Sequence, residues 1–401
     1  MEKALKISRT TIKGIALIST FAYQSYSTLA YGLLGDNTTL RSAMIAITVL
    51  ICLTALLCSK KRTIFFAIKL VVCYFLIFGT TGLLYSPNRS YISGIISSSF
   101  IWLFLIIILY DLDPKQVFRY LDKAAFLILF CSLFEPFTTY VTSQHDGYMV
   151  FGMRVLTCSI IFVFYYYETG LKRYLFSFVV SALLIFGYGN RSALLICVIL
   201  YVIGMFRTGQ SLQKKITISL ILVIAALSMF LFQRQIISIL SGVLESVGIS
   251  SRTLNKMIDG SISDNNGREI IWSNALRYIK MKWFTGYGIA GDRTLVLIGL
   301  SSGFYAHNVF LEILLDFGLI FGIVFIAFII VSSLKMISKC PNEIQARLYL
   351  YVFVAAAIKL FFSSSIWIDF LSYWCLGIVF SYRKHKPSAK EGRIYGRDII
   401  H

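Results

Sequence analysis

Apolar runs of membrane-crossing length recur along almost the whole chain, and they constrain its fold more than any other feature. A helix that crosses a bilayer takes about 20 apolar residues, and inside hydrocarbon every backbone N–H and C=O must be satisfied within such a segment. Runs of this kind cover Ile12–Leu34, Ser42–Cys58, Ile64–Leu84, Ile92–Tyr110, Ala124–Val141, Val150–Tyr167, Tyr174–Tyr188, Ser192–Phe206, Ile216–Phe232, Asn308–Val331, Leu348–Phe362 and Trp367–Tyr382. Only the stretch from Gln233 to Ala306 keeps a sizeable length of chain polar. With 57% of its 401 residues hydrophobic and 14% charged, the chain is too apolar for a soluble globular domain. The expected fold is therefore all-α: a polytopic membrane protein of about twelve transmembrane helices. It forms a single membrane domain over residues 1–401, with residues 233–306 as one long extracytoplasmic loop.

The formal net charge of +19 raises nucleic acid as a partner, but no solvated basic domain exists to carry a contact surface. The charge instead reports topology, because cytoplasmic loops collect Lys and Arg. Lys60-Lys61-Arg62, Lys115 with Arg119, Lys172-Arg173, Arg207 with Lys214-Lys215, Lys335 with Lys339 and Arg347, and the Arg383–Lys386 tail all fall on one side of an alternating arrangement. The opposite short loops hold little more than Arg41, Arg89 and Arg191. Both termini are thus expected in the cytoplasm, with the long loop facing outward, which in a bacterium means the periplasm or cell exterior. Lys3, Lys6, Arg9 and Lys13 precede an apolar run that continues to Leu34 without a small-residue cleavage site, which predicts a retained first span rather than a removed signal peptide. The eight cysteines fall in or near apolar runs with no CxxC or Cys/His spacing, so neither a disulfide framework nor a metal site is expected. No cofactor is implied.

Chemistry has few places to reside. Asp264-Asn-Asn-Gly267 reads as a turn with capping side chains, followed by a helix with apolar residues at Ile271, Ala275, Ile279 and Trp283 and basic residues on other faces. This spacing predicts a basic amphipathic helix lying on a membrane surface or on the transmembrane bundle. Arg268 sits in its first turn, a poor place for a cation by itself but a good one for meeting an anion beside free backbone N–H groups. An ordinary surface arginine is the plainer alternative. Gly286-Tyr-Gly288-Ile-Ala-Gly291 spells GxGxxG, yet it lacks the strand-to-helix context of a dinucleotide site and falls in the extracytoplasmic loop, so a flexible turn back to the membrane suffices.

His307-Asn308 follows at the mouth of the tenth apolar run. Asn308 can cap that helix, and a histidine with an ordinary pKa near 6.5 can take a proton at neutral pH. Arg191, in Gly187-Tyr-Gly-Asn190-Arg191-Ser192, stands between two short runs on the same outer side, where a guanidinium can hold a phosphate bidentately or simply contact lipid headgroups. Glu135, Arg154, Glu312, Asp316, Lys359 and Asp369 lie deeper in apolar surroundings, where catalysis and structural ion pairing account for them equally.

At these residues the chain resembles the O-antigen ligase and polymerase superfamily, membrane enzymes that move lipid-linked glycans on the outer face of the bacterial cytoplasmic membrane. The resemblance rests on Gly189-Asn190-Arg191-Ser192-Ala193, on Gly267-Arg268 followed by Trp272 and Gly286-Tyr-Gly288, and on His307-Asn308-Val-Phe-Leu311-Glu312 leading into Gly318. It covers about Tyr188 to Gly322. It implies a membrane glycosyltransferase fold of the GT-C type and an undecaprenyl-pyrophosphate-linked oligosaccharide as donor. His307 would be the catalytic residue that takes or orients the acceptor's proton. Arg191 and Arg268 would bind the departing pyrophosphate, with Asn308 and Glu312 in support. No metal would be needed, because pyrophosphate is already a good leaving group. The pattern after His307-Asn308 looks more polymerase-like than ligase-like, which favours a second lipid-linked repeat unit as acceptor over lipopolysaccharide core. Membrane lipid, a flippase and a chain-length regulator are the further expected partners. A transporter of lipid-linked sugars is the competing class, but transporters place charged sites at the membrane midplane, whereas these candidates cluster at its outer boundary.

Overall fold

The computed structural model describes residues 8–35, 37–138, 147–188, 190–207, 268–295, 305–340, 343–362 and 364–385, with a few isolated positions between 211 and 220. Among the described residues the chain is helical and contains no strand. In order the helices are α1 (Arg9–Leu34), α2 (Thr38–Leu57), α3 (Lys61–Leu84), α4 (Arg89–Asp111), α5 (Pro114–Phe134), α6 (Gly147–Thr169), α7 (Lys172–Gly187), α8 (Arg191–Arg207), α9 (Arg268–Met281), the single turn α10 (Asp292–Leu295), α11 (Val309–Ile337), α12 (Ile344–Phe362) and α13 (Phe370–Lys384).

Among the described residues, six segments are long and apolar enough to cross a membrane: Thr38–Leu57, Lys61–Leu84, Ser86–Asp111, Val150–Thr169, Val309–Ile337 and Ile344–Phe362. The chain is an all-α polytopic membrane protein. Helices α1, α5, α7, α8 and α13 lie where further spans are expected, but α1 and α5 carry charged residues in their first turns, and α7, α8 and α13 run for only 16, 17 and 15 residues. The expected span Ile216–Phe232 and the loop from Gln233 to Gly267 lie almost entirely outside the described residues. Two boundaries move for physical reasons. The run expected to start at Ala124 is helical from Pro114, a residue suited to the first helical position, and it breaks into a 3₁₀ turn at Glu135–Phe137 where Pro136 cannot donate. The last helix starts at Phe370 rather than Trp367 because Asp369 caps it, its Oδ1 accepting from Leu371 N at 2.9 Å.

The chain divides into two compact units, one of Met1–Thr20, Val49–Val117 and Asn265–Ile399, the other of Phe21–Thr48, Phe118–Asp264 and Ile400–His401. In the second unit α6 packs along α7 and α8, over a core that includes Phe118, Phe162, Phe164 and Tyr165. An ion pair is sealed inside it: Arg154 donates to Glu135 and to the Thr28 hydroxyl, with only 7% and 1% of the arginine and glutamate exposed. Glu135 and Arg154 thus form a buried ion pair.

In the first unit α13 lies along α4, and α12 packs on α11 and α13. Gly377 lets Leu109 approach closely, and Trp102 meets Phe370 edge-on at 4.9 Å. One end is stapled by Asp111, which receives Lys13 at 2.5 Å, Ser59 at 2.7 Å and Thr63 at 2.5 Å, with Lys384 at 3.5 Å. The other end holds the candidate site.

Candidate functional site

Helix α9 follows the predicted periodicity. Ile271, Ala275 and Ile279, four residues apart, are buried against Leu315 of α11, with Trp272, Tyr278 and Tyr287 packed around them. Of the two surfaces open to this helix from sequence, the structure selects the transmembrane bundle. Trp283 does not continue the buried stripe, because α9 ends at Met281 and the indole is 53% exposed.

Helix α11 is broken. Gly318 has φ 77° and ψ 173°, a conformation essentially reserved for glycine. The break takes helical partners from nearby backbone groups, and the Gly286–Gly291 stretch supplies replacements: Tyr287 N donates to Leu315 O at 2.8 Å, Gly288 N to Asp316 O at 2.9 Å, and Leu319 N to Trp283 O at 2.5 Å. The Asn88 side chain clamps the same stretch from the other side, donating to Tyr287 O at 2.9 Å and Ile289 O at 3.0 Å. The GxGxxG sequence is therefore a docked backbone plug for a broken helix, not the flexible turn expected. Its glycines serve close approach: a Cβ on Gly286 would sit 2.5 Å from Asp316 O.

The N-terminal half of α11 carries Glu312 and Asp316 one turn apart, on one face and both buried. The α12–α13 connection docks on them. Ser365 Oγ and Ile366 N, the latter at 3.0 Å, donate to Glu312, and Trp367 Nε1 donates to Asp316 at 2.7 Å. Lys359 and Asp369 pair at 2.5 Å alongside, with Ser364 donating to the same carboxylate at 2.7 Å. The deep ionisable residues of this unit are thus largely spoken for by hydrogen bonds and ion pairs.

Directly before α11 the chain is pinned. Ala306 N donates to Asp292 Oδ2 at 2.9 Å, and Ala306 O accepts from Trp272 Nε1 at 3.2 Å. His307 then takes φ 49°, a left-handed conformation rare for a side-chain-bearing residue. Asn308 caps α11, its Oδ1 accepting from Phe310 N at 3.0 Å and Leu311 N at 3.3 Å. The imidazole lies against the Tyr305 ring at a 32° tilt, ring centres 3.9 Å apart. Arg293 lies over the same tyrosine ring at 4.5 Å, and its guanidinium is 3.5 Å from Asp292 and 3.7 Å from Glu312. Burial pushes His307 down to about 4, and the positive charges of Arg268 and Arg293 act in the same direction. Burial also holds the Tyr305 phenol neutral, pushing it well up from its ordinary value. Burial and the two arginine charges both favour the uncharged imidazole.

Of the residues singled out from sequence, Arg268, His307, Asn308 and Glu312 fall in one unit around the start of α11. Arg191 opens α8 in the other unit, after Asn190, whose Oδ1 accepts from Ala193 N at 3.1 Å; the Arg191 side chain lies outside the described residues. Arg293, Tyr305 and Asp292 were not anticipated. The one signal that points to them is an adjacent acid–base pair, Asp292-Arg293, midway between two motif segments.

These features define a class: an all-helical, multi-pass membrane protein with a neutral imidazole, flanked by arginines, at the mouth of a broken span. Residues 176–327 match the family model described as O-antigen ligase, which agrees with the superfamily its motifs resemble. The matched interval takes in Arg191, Arg268, His307, Asn308 and Glu312. It supports an O-antigen ligase or polymerase type of function in general, hence a glycosyltransferase-like enzyme acting on lipid-linked oligosaccharide in a membrane. No curated protein sequence matches the chain.

Proposed function

We propose that the protein is a polysaccharide polymerase that transfers a growing glycan from undecaprenyl pyrophosphate to a lipid-linked repeat unit on the outer face of the bacterial cytoplasmic membrane. The observation that carries this reading is the placement of His307 beside two arginines, at the entrance to a membrane span, within the interval matching the O-antigen ligase family.

The chemistry follows from the charges. An acceptor hydroxyl attacks the anomeric carbon as the bond to the pyrophosphate oxygen breaks, and that electron pair leaves with the pyrophosphate. Arg268 receives the growing negative charge, and Arg191 has the same role by its motif. In the free protein a ring pushed down to about 4 is a weak base that accepts the acceptor's hydrogen bond and orients it. A pyrophosphate arriving at Arg268 cancels part of that cation's effect on the ring. Proton affinity therefore rises as substrate binds, and the base strengthens when it is needed. A leaving group already stabilised by two guanidinium groups does not call for a metal ion, so none is included in this reaction. Asn308 holds the helix start beside His307, and Glu312 fixes the α12–α13 connection. A flippase and a chain-length regulator are the expected protein partners.

The test uses purified protein with one undecaprenyl-pyrophosphate-linked repeat unit and no core lipid, metal or ATP, with products run on a gel. A ladder supports the polymerase. Transfer only after core lipid is added makes the protein a ligase, and no product in either assay returns the transporter reading. His307→Ala, Arg191→Ala and Arg268→Ala should each abolish extension in protein that still inserts, and Arg→Lys at either position should be damaging because a point charge replaces a planar fork. Near-normal extension by the His307 variant would sink the assignment.

A further inference from the structure

The turn α10 sits between the GxGxxG plug and the His307 segment and belongs to no recognised motif, yet both of its first two side chains act on that segment. Asp292, fully buried, accepts the Ala306 N–H at 2.9 Å and so fixes the peptide that precedes His307. Arg293 covers the Tyr305 ring at 4.5 Å, and Tyr305 lies against the imidazole, tilted by 32° with ring centres 3.9 Å apart. The guanidinium is held in turn, 3.5 Å from Asp292 and 3.7 Å from Glu312, and its side chain is only 11% exposed. His307 is in a left-handed conformation at φ 49°, which persists only where surrounding contacts over-determine it.

We propose that Arg293 is a positioning residue for His307, holding Tyr305 against the imidazole and standing as a fixed positive charge beside it. The proposal rests on the assignment of His307 as the reacting group, but its physical content does not depend on which substrate is used. A planar guanidinium suits this place because it can stack on an aromatic face while its edge meets two carboxylates. A lysine ammonium can supply the charge but not the flat face.

The charged and titratable groups around the ring come from every element packed there. Arg268 on α9 and Arg293 on α10 act on the imidazole itself, while Asp292 on α10, Glu312 on α11 and Asp369 at the head of α13, together with Arg293, act on Tyr305 against it. Burial is the largest influence on the imidazole, followed by Arg268 and then Arg293. Removing the Arg293 charge takes away one of the two cations acting on the ring, which favours its protonated form, so its titration must move upward.

The experiment labels histidine at Cε1 with ¹³C in the full-length detergent-solubilised protein and assigns His307 by its loss in His307→Gln. Titration midpoints are then read by NMR in wild type, Arg293→Gln and Arg293→Lys, with His385 as an internal reference. Wild type should titrate near pH 4. Arg293→Gln should move the midpoint upward by roughly half to one pH unit, while Arg293→Lys leaves it in place. An unchanged midpoint in Arg293→Gln, with His385 also unmoved, overturns the electrostatic half of the proposal. Arg293→Lys tests the other half and remains informative if Arg293→Gln fails to fold. Loss of the flat face should reduce the extension rate about tenfold or more through kcat, with KM little changed, and a wild-type rate would refute the stacking role. If wild type makes no glycan product while the midpoint still shifts, the proposed reaction fails and the positioning role stands.

Discussion

Gly318→Ala should be the most damaging single-methyl change in the described part of the protein. A Cβ built at this position lies 2.5 Å from Phe284 O and 2.8 Å from Trp283 O, both backbone atoms that cannot rotate away. The φ of 77° with ψ of 173° adds strain of order 1–3 kcal/mol for any residue with a side chain. Relief by moving the Trp283–Gly288 stretch would endanger the bonds Leu319 N to Trp283 O, Tyr287 N to Leu315 O and Gly288 N to Asp316 O, each worth about 1 kcal/mol net. If all three bonds are lost, these add to roughly 4–6 kcal/mol, large against ordinary protein stabilities. Gly79→Ala in α3 is the matched control, since a Cβ there meets nothing within 4 Å and alanine in a helix is favoured by roughly 0.5–1 kcal/mol. The assay heats detergent-solubilised protein and measures by size exclusion the fraction that remains monodisperse. Gly318→Ala should lose its native peak far below wild type, with Gly79→Ala at or above it. Indistinguishable midpoints for the two variants would refute the backbone plug.

Two further outcomes follow from the buried charges. His307 titrates near 4 when folded and near 6.5 when unfolded, so below 6.5 the unfolded chain binds the extra proton first. Stability contributed by the neutral ring is fully present above about pH 6.5 and is lost as pH falls through about 4; thermal midpoints measured against pH should show this acid loss in wild type and less of it in His307→Gln. In the second unit, Glu135→Ala leaves Arg154 buried without its partner and should cost about 3–5 kcal/mol, whereas Glu135→Ala with Arg154→Met should recover much of that. Equal heat stability of the single and double variants would show that the pair is not the determinant.

The parts of this architecture legible in sequence are those with a period or a fixed local pairing. Ile271, Ala275 and Ile279 announce a helix with one buried stripe because each contact recurs every turn. Asn308 announces a cap because its partners lie two and three residues ahead. The GxGxxG stretch carried no such local key, since its partners Leu315 and Asp316 lie far along the chain and become available only because α11 breaks. Gly318 sits inside a run that reads as one uninterrupted span, and nothing in hydropathy distinguishes a glycine at a break from one within a regular turn. Arg293 was missed for a related reason. Its relation to His307 passes through Tyr305, so no spacing between the two residues encodes it.

The break in α11 also explains how so many ionisable groups can sit at the entrance to a membrane span. A continuous helix would consume the carbonyls of Leu315 and Asp316 internally and offer nothing to fix the 286–291 stretch. With the break, those carbonyls hold the stretch, the stretch delivers α10, and α10 pins Ala306 through Asp292. The two carboxylates of the helix are occupied meanwhile from the opposite side, by Ser365, Ile366 and Trp367. Each buried acid thereby acquires donors before any substrate arrives, and the cations facing His307 need not be neutralised wholly by the protein's own acids. Rigid carboxylates and an arginine-flanked neutral ring are what a site requires if the anion that completes its charge balance is to come from the substrate.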